Sequence, residues 1–193
     1  TTIGLAITMA CAYPLARNKL RGRNFFTLLF TVTMVFNGGM IPNYILMQKL
    51  GMINTVWAMI LPGCMSVYNM IVAKSFIQSS IPGELLEASK IDGCNYFQTF
   101  FYIMMKLCKP VATTVVIMET IWAWNAFMLP LVLTLNNPSS RTLAVGLYAF
   151  KGENTVDWTG IAAGGSIAVI PVIILFVLMQ KHFVEGIAGA VKR

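Results

Sequence analysis

Charged side chains are scarce in this sequence. Of its 193 residues, 14 are Lys or Arg and 7 are Asp or Glu. Charged residues therefore make up 11% of the chain, whereas a water-soluble domain has about 25%. Hydrophobic residues make up 57%, and the mean hydropathy is +0.72. This composition excludes a soluble globular enzyme, a disordered tail and a coiled coil, and it indicates a bundle of membrane helices.

Side chains that bind metals or attack substrates are also rare. His182 is the only histidine, and the four cysteines show no CxxC spacing. A histidine-based triad or a histidine-cluster metal site therefore cannot be built within the chain, and we expect neither a metal nor a disulfide. The net charge of +7 does not indicate nucleic-acid binding, because the basic residues stand between apolar runs.

Long apolar runs dominate the rest of the chain. A membrane helix needs about 20 mostly apolar residues, and sustained strand alternation is absent, so we predict an all-α membrane protein. The five predicted spans are residues 1–16, 25–40, 55–73, 110–134 and 160–179, and Asn37-Gly38-Gly39 is expected to break the second span near its end. The first run has no charged segment before it, so we expect the chain to be part of a longer membrane protein in which this helix begins earlier.

The basic residues alternate between the two sides of these spans. Eleven of the 14 lie in the segments after the first, third and fifth spans, and three lie in the other two linkers. Since Lys and Arg are concentrated in cytoplasmic loops, the richer side and the C-terminus are predicted to be cytoplasmic. A missed or extra span would disturb this alternation.

The predicted loop at about residues 75–109 is long enough to carry structure of its own. Pro82 suits the start of a helix, Glu84 its first turn and Lys90 its last turn, and Gly93 suits a left-handed end. We therefore predict a short helix over residues 82–92 and a second over residues 95–107. The pair could dock a cytoplasmic partner, or it could lie on the bilayer surface; spacing alone favours neither.

A motif in this loop resembles a known one. Glu87-Ala88-Ser89 is followed by Gly93 and then by Ile103, which resembles the EAA motif of ABC importer permeases. Ser89 stands where a second alanine is usual, and residues 105–106 replace the usual Leu-Pro. Other segments resemble the carbohydrate branch of these permeases, especially those of polysaccharide and complex-sugar importers; they are residues 36–42, 50–55, 81–85, 124–127 and 183–186.

The resemblance covers essentially the whole chain and implies the type I ABC importer transmembrane fold. Residues 1–193 would form one permease domain with about five of the six usual spans. Residues 82–93 would form the coupling helix, which inserts into an ATP-binding subunit. In this role Glu87 offers a charged contact, and Ala88 and Ser89 are small enough for close approach. The residues that the resemblance implies in ATPase coupling are Pro82, Glu84, Glu87, Ala88, Ser89, Asp92 and Gly93.

The chain itself has no GxxxxGK[ST] phosphate-binding loop. The glycine-rich residues 160–166 lack the lysine, and the spacing of Gly160 and Gly164 suits helix packing instead. We therefore expect a transport subunit that is not an enzyme and holds no cofactor, with ATP bound by its partners.

The resemblance also implies the partners and the location. They are two ATP-binding subunits, a second permease subunit in a heterodimer, an external solute-binding protein and membrane lipid. The chain would be a multi-pass protein of the cytoplasmic membrane. It would import a carbohydrate, an oligo- or polysaccharide, by alternating access.

Polar and aromatic residues in the fourth predicted span are candidates for the translocation path. Glu119 lies near the middle of the span, where a carboxyl group is costly unless it faces a cavity or another helix. It could line the solute path or pair with a neighbouring helix. Trp122, Trp124 and Asn125 have rings and amides that suit sugars, although the resemblance at residues 124–125 could equally reflect packing.

Three rival functions remain open from the sequence. One is import of a different solute, such as an amino acid or an organic ion. A second is a secondary transporter that needs no ATPase. A third is an intramembrane enzyme that uses Glu119 and Asp157, which is disfavoured because Asp157 is predicted to lie in an external loop.

Overall fold

The computed structural model describes residues 1–17, 20–134, 137, 140–152 and 155–191, with backbone alone from residue 181 onward. In chain order the helices of these residues are α1 (Thr2–Ala16), α2 (Arg23–Val35), α3 (Met40–Lys49), α4 (Val56–Ile60), α5 (Val67–Ser80), α6 (Gly83–Ile91), α7 (Tyr96–Leu107), α8 (Lys109–Trp124), α9 (Met128–Leu133), α10 (Leu143–Tyr148) and α11 (Trp158–Val191). Within the described ranges there is no strand, only an isolated bridge between Lys151 and Val156. The all-helical prediction is therefore confirmed.

The chain forms two compact units. The first contains Thr1–Phe36, Met65–Glu119 and Met179–Arg193, and the second contains Asn37–Cys64 and Thr120–Leu178. Of the basic residues used to predict sidedness, Lys19, Lys192 and Arg193 lie outside the described residues, and the side chain of Lys181 does too.

In the first unit, α1 packs along α5, and the start of α8 completes the core. The fully buried side chains of this core include Met9, Tyr13, Met70, Met104 and Val111. The side chains of this core are almost entirely aliphatic, aromatic or sulfur-containing, so van der Waals contacts between them hold it together. It places the end of α1 next to the segment that contains the EAA-like motif.

In the second unit, a smaller core forms around Met47, Ala58 and Leu133. Asn54 adopts a left-handed φ of 63°, and its backbone N–H donates to the Leu133 carbonyl at 3.2 Å. Gly160 and Gly164 of α11 lie against side chains of the preceding segment: a Cβ at Gly160 would be 2.5 Å from the Phe150 ring, and one at Gly164 would overlap Leu147. The packing role predicted for these glycines fits this geometry.

Two of the five predicted spans are wrong as continuous helices, and the break predicted in a third is present. In the span at 25–40, α2 ends at Val35, and the predicted break follows at residues 37–39, where Gly39 has a φ of +86° and its N–H donates to the Asn37 side chain. The span at 55–73 is interrupted by a 3-10 turn and residues 64–66, and it restarts where Ser66 caps α5. The span at 110–134 stops at Trp124, and residues 128–133 form a separate helix.

The segments that could cross a membrane are of two kinds, one long helix and several bent helix pairs. In the described part of the chain, Trp158–Gln180 of α11 is long and apolar enough to cross a membrane unaided. The total rises to as many as four if three helix pairs (α2 with α3, α4 and its turn with α5, and α7 with α8) each count as one broken span. Helix α1 is apolar but has only 15 residues.

The loop predicted at 75–109 also has a different start. Helix α5 continues to Ser80, so Lys74, which was assigned to the cytoplasmic loop, lies inside a helix. Its side chain is buried, and Nζ donates to Thr27 Oγ1 of α2 at 3.0 Å. The aliphatic stem of a lysine can lie along an apolar surface in this way while its charged end reaches a polar partner.

A sharp bend separates α7 from α8. The two helices meet at 78°, and residues Thr99–Met104 of α7 form a π-helical segment. Pro110, the second residue of α8, has no N–H to donate, so an unbroken helix through it would lose a hydrogen bond. A proline and a widened turn are known causes of kinks.

Candidate functional site

The helix predicted around the EAA-like motif is present as α6. It begins at Gly83 rather than at Pro82, which has an extended ψ of 139° and lies just before the helix. Glu84 occupies the first turn and Lys90 the last turn, the positions that the helix dipole favours for those charges. The predicted helix of residues 82–92 is therefore one residue too long at each end.

Gly93 ends this helix with a left-handed turn. Its φ is +80°, its N–H donates to the Lys90 carbonyl at 3.1 Å, and the next N–H, of Cys94, donates to the Ser89 carbonyl at 2.9 Å. These two bonds define a Schellman motif, which satisfies carbonyls that would otherwise lack partners. The turn predicted at Gly93 is confirmed.

The face of α6 that points outward carries a stripe of four residues. Glu84, Glu87, Ala88 and Ile91 follow the i, i+3, i+4, i+7 spacing of one helix face, and all four are exposed. We call them the outer stripe. Ile91 is 87% exposed, and it is not among the coupling residues predicted from the sequence. The available signal was the i, i+3, i+7 spacing that puts Ile91 on one helix face with Glu84 and Glu87, since an apolar side chain beside two acids suits a protein contact.

Ser89 points to the opposite face, against its predicted role. It is 2% exposed, and its hydroxyl lies 2.9 Å from the Leu86 carbonyl and 3.3 Å from Thr99 Oγ1 of α7. Its small size therefore allows a close approach within its own chain, and the side chain is not available to touch a partner directly. Asp92 and Gly93 are exposed at the end of the helix.

A cavity of about 360 Å³ lies beside the outer stripe, and Glu87 of the stripe is part of its lining. Its walls come from the ends of α1 and α5 and from α6, with Arg17, Gln78, Glu87 and Lys90 as the polar lining. Gln78 Nε2 donates to the Ala16 carbonyl at 3.4 Å, which links the ends of α1 and α5 at this cavity. The site thus combines an exposed acidic and apolar stripe with a charged hollow beside it.

The first candidate path residue, Glu119, is held inside the first unit. It is 9% exposed, Thr8 Oγ1 of α1 donates to its carboxyl at 3.4 Å, and the Asn69 side chain of α5 hydrogen-bonds the same group. These contacts join three helices, α1, α5 and α8. The arrangement supports the interhelical reading of Glu119 rather than direct contact with a solute.

The other three candidates, Trp122, Trp124 and Asn125, belong to the second unit. Trp124 Nε1 donates to the Ala168 carbonyl of α11 at 3.0 Å, and Asn125 Nδ2 donates to the Ile121 carbonyl at 2.8 Å. A Cβ at Gly63 would lie 2.6 Å from the Trp122 ring. Trp124 therefore connects helices, Asn125 closes the end of α8, and Trp122 packs on a glycine.

Metal ligation has no evident site in the residues that the structure covers. No group of three or more His, Cys, Asp or Glu side chains among them could hold an ion. Residues 160–166, the glycine-rich stretch, lie within the long helix α11.

Comparison with known proteins places this geometry in context. Residues 2–189 match the family described as binding-protein-dependent transport system inner membrane component. Protein LplC of Bacillus subtilis (strain 168) is 35% identical over 208 residues, covering 100% of this chain and 70% of LplC. The polygalacturonan/rhamnogalacturonan transport system permease protein YtcP of the same strain is 33% identical over 216 residues, covering 100% of this chain and 73% of YtcP.

A solved structure has a similar fold. The crystal structure of a bacterial ABC transporter involved in the import of the acidic polysaccharide alginate matches with a TM-score of 0.83 and 26% identity, covering 95% of this chain and 70% of that chain. The fold is thus that of a transport permease. The chain belongs to the family of binding-protein-dependent transport system inner membrane components. The predicted membership among the ABC importer permeases is confirmed.

Proposed function

We propose that this chain is the transmembrane permease subunit of an ATP-driven importer for an oligo- or polysaccharide. The names of YtcP and of the alginate transporter support this solute class. The apolar helix α11 and the three broken helix pairs are candidate membrane-spanning segments, and broken helices within a membrane protein are tolerated where they line a cavity or are buried in protein.

The observation that carries the proposal is the outer stripe. Its four residues are exposed on a helix whose opposite face is fixed by Leu86 and Ser89, so the stripe is presented on a firm base. Glu84 and Glu87 can form charge-assisted contacts with basic groups, and Ile91 can enter an apolar pocket. A cleft on an ATP-binding subunit is the partner that the EAA-like motif implies.

Transport would then follow from alternating access. Closure of two ATP-binding subunits around ATP would pull α6 and rock this subunit against a second permease in a heterodimer. The cavity would open outward to a solute-binding protein and inward after hydrolysis. In this arrangement α6 and the C-terminus are cytoplasmic, and the chain binds no ATP itself.

The docking step is tested by co-purification. The full-length gene is expressed with its candidate ATPase and partner permease, the ATPase carries the tag, and recovery of this subunit is measured. We expect Glu87→Arg to lower recovery strongly, because it reverses a charge in the middle of the stripe. Gly93→Pro should do the same, because proline cannot adopt the left-handed φ of this turn.

Two further variants make the result specific. Lys49→Glu reverses a charge at an exposed residue at the end of α3 and should leave recovery unchanged. Glu87→Gln keeps the length of the side chain and isolates the contribution of its charge. Wild-type recovery of Glu87→Arg from an otherwise assembled complex would contradict the docking role of the stripe.

The energy source and the solute class need a transport assay. In vesicles with the complete importer, a pectin- or alginate-type oligosaccharide should be taken up, and an ATPase subunit that cannot hydrolyse ATP should abolish uptake. Uptake that persists without ATP hydrolysis would favour a secondary transporter. Competition by amino acids but not by sugars would favour import of a different solute.

A further inference from the structure

The end of α1 contacts the helix that follows α6 through four side chains. The Tyr13 ring centroid lies 5.3 Å from that of Tyr96 and 5.3 Å from that of Phe100. The Arg17 guanidinium carbon lies 5.2 Å from the Tyr13 ring centroid and 5.8 Å from that of Tyr96. One cation is therefore shared between a tyrosine of α1 and a tyrosine of α7. We call Tyr13, Arg17, Tyr96 and Phe100 the aromatic clamp.

The other side of α7 is joined to α6. Ser89 and Thr99 are 2% and 3% exposed, and their hydroxyl oxygens lie 3.3 Å apart. Between them the chain turns through the Schellman motif at Gly93 and a capping box in which Asn95 and Gln98 exchange hydrogen bonds of 2.8 Å. Because hydrogen bonds hold the turn and Ser89 contacts Thr99 across it, α6 and the start of α7 are expected to move as a rigid unit.

The clamp is anchored in the core of the first unit at its other end. Tyr13 is 1% exposed and belongs to the core in which α1 packs along α5. A displacement of α6 is therefore passed to α7 by Ser89 and Thr99, and then to α1 and α5 by the clamp. The Arg17 guanidinium adds a charged component to the contact between these two pairs of helices.

We propose that Arg17 and Tyr96 are positioning residues of the coupling loop, and that the aromatic clamp transmits movement of α6 to α1. The inference rests on the proposed function, because it assigns a mechanical role within ATP-driven transport. A cation on an aromatic face tolerates some sliding and rotation of the partners, since it has no fixed hydrogen-bond direction. The contact can thus stay closed while the helices reorient.

The first measurement asks whether the contact exists. In the assembled importer, thermal unfolding is compared for wild type, Arg17→Gln, Tyr96→Leu and the double variant. The double variant should lose clearly less stability than the sum of the two single losses, because both remove the same contact. Additive losses would overturn the clamp.

The second measurement asks what the contact does. The number of sugar molecules transported per ATP hydrolysed should fall by about threefold or more in Arg17→Gln and in Tyr96→Leu, the size expected for one lost cation–aromatic contact. Arg17→Lys, which keeps a cation, and Tyr96→Phe, which keeps the ring, should recover most of the ratio. Recovery of the subunit on the tagged ATPase should remain at the wild-type level, since the outer stripe is intact.

Arg21→Gln is the matched control, because it removes one positive charge from an exposed residue of the same segment. If Arg17→Gln shows the same ratio as Arg21→Gln, the clamp has no part in transmission. If the wild-type importer itself fails to transport sugar at the expense of ATP, the proposed function fails and the transmission role fails with it. The two failures are distinguishable because only the second appears in the wild-type protein.

Discussion

At the scale of single residues, Glu119 shows how a costly group is accommodated. A carboxyl group inside an apolar bundle needs hydrogen-bond donors, and Thr8 and Asn69 provide them from two other helices. The sequence could predict that Glu119 faces inward, because its depth in an apolar run leaves no other stable choice. It could not predict the two partners, which are 111 and 50 positions away in the chain.

Replacement of Glu119 separates the two roles that the sequence left open. We expect Glu119→Gln to keep the apparent KM for the solute within about twofold of wild type, because the substitution removes no contact with the bound solute. Glu119→Ala should lower stability by about 1–3 kcal/mol, since it leaves buried polar groups without their partner. Transport kinetics and thermal unfolding of the same preparations check both. A tenfold rise in KM for Glu119→Gln would instead place this carboxyl in the solute path.

Gly93 and Gly83 offer a matched pair at the two ends of α6. Gly93→Ala should cost about 1–2 kcal/mol, because an L-residue is strained at a φ of +80° even though a Cβ would meet no neighbour within 4 Å. Gly83→Ala adds the same methyl group in equally open space at an ordinary φ and should be neutral or slightly stabilising. Chemical or thermal unfolding of the purified complex checks the difference. Equal effects at both positions would contradict the turn described here.

Ser89 marks the limit of residue-level prediction. The motif indicated a small side chain at this position, and the structure explains why: the face that carries it packs against Thr99. Which face of a short helix points inward depends on the neighbouring helices. A nine-residue segment with a mixed pattern does not encode that choice.

At the scale of secondary structure, helix ends with local chemical signals were predictable. Helix α6 and its glycine turn were found because charges at both ends and a left-handed glycine act within a few residues. The break after Trp124 was missed although a signal existed. Pro130 has no backbone N–H to donate to the preceding turn, and its ring would clash with that turn. A single helix over residues 110–134 was therefore disfavoured.

Trp124, the last residue before that break, links α8 to α11, and a comparison with Trp122 tests this link. Trp124→Phe keeps an aromatic ring and removes the indole N–H that bonds the Ala168 carbonyl. We expect a stability loss of about 0.5–1.5 kcal/mol, the net value of one hydrogen bond. Trp122→Phe replaces the indole packed on Gly63 by a smaller ring and should leave the bond from Trp124 to Ala168 intact. An unchanged unfolding temperature with a raised KM for Trp124→Phe would favour a solute contact instead.

At the scale of the whole molecule, membership in the permease family followed from short motifs, whereas the number of unbroken spans did not. Hydropathy reports apolar content over about 20 residues and cannot detect a break within an apolar run. The break at residues 37–39 was predicted from its residue types, Asn-Gly-Gly, and not from hydropathy. The break at Asn125, whose side chain bonds the Ile121 carbonyl, was not predicted, because one asparagine hardly lowers the apolar content of the run. Hydropathy therefore located the segments and misjudged their continuity.

The sidedness of the protein is a further whole-molecule prediction. A fluorescent reporter fused at the C-terminus should be active in the cytoplasm, and a phosphatase reporter inserted after Lys151 should be active outside. The physical reason is the excess of basic residues on one side. Arg21→Gln should leave both signals unchanged, since one charge of many is removed. Phosphatase activity at the C-terminus would reverse the assigned orientation of α6 as well.

The π-helical segment of α7 has a consequence for insertions and deletions. Such a widened turn accommodates one residue more than a regular α-helix of the same rise. Removing one residue from Thr99–Met104 would convert the segment into regular α-helix and leave the residues before and after it in nearly the same relative orientation, because the widened turn holds the extra residue. The same deletion in the regular helical residues 105–107 would instead rotate Tyr96 by about 100° relative to α8 and turn it away from Arg17. The widened turn should therefore tolerate the loss of one residue better than the helical residues next to it.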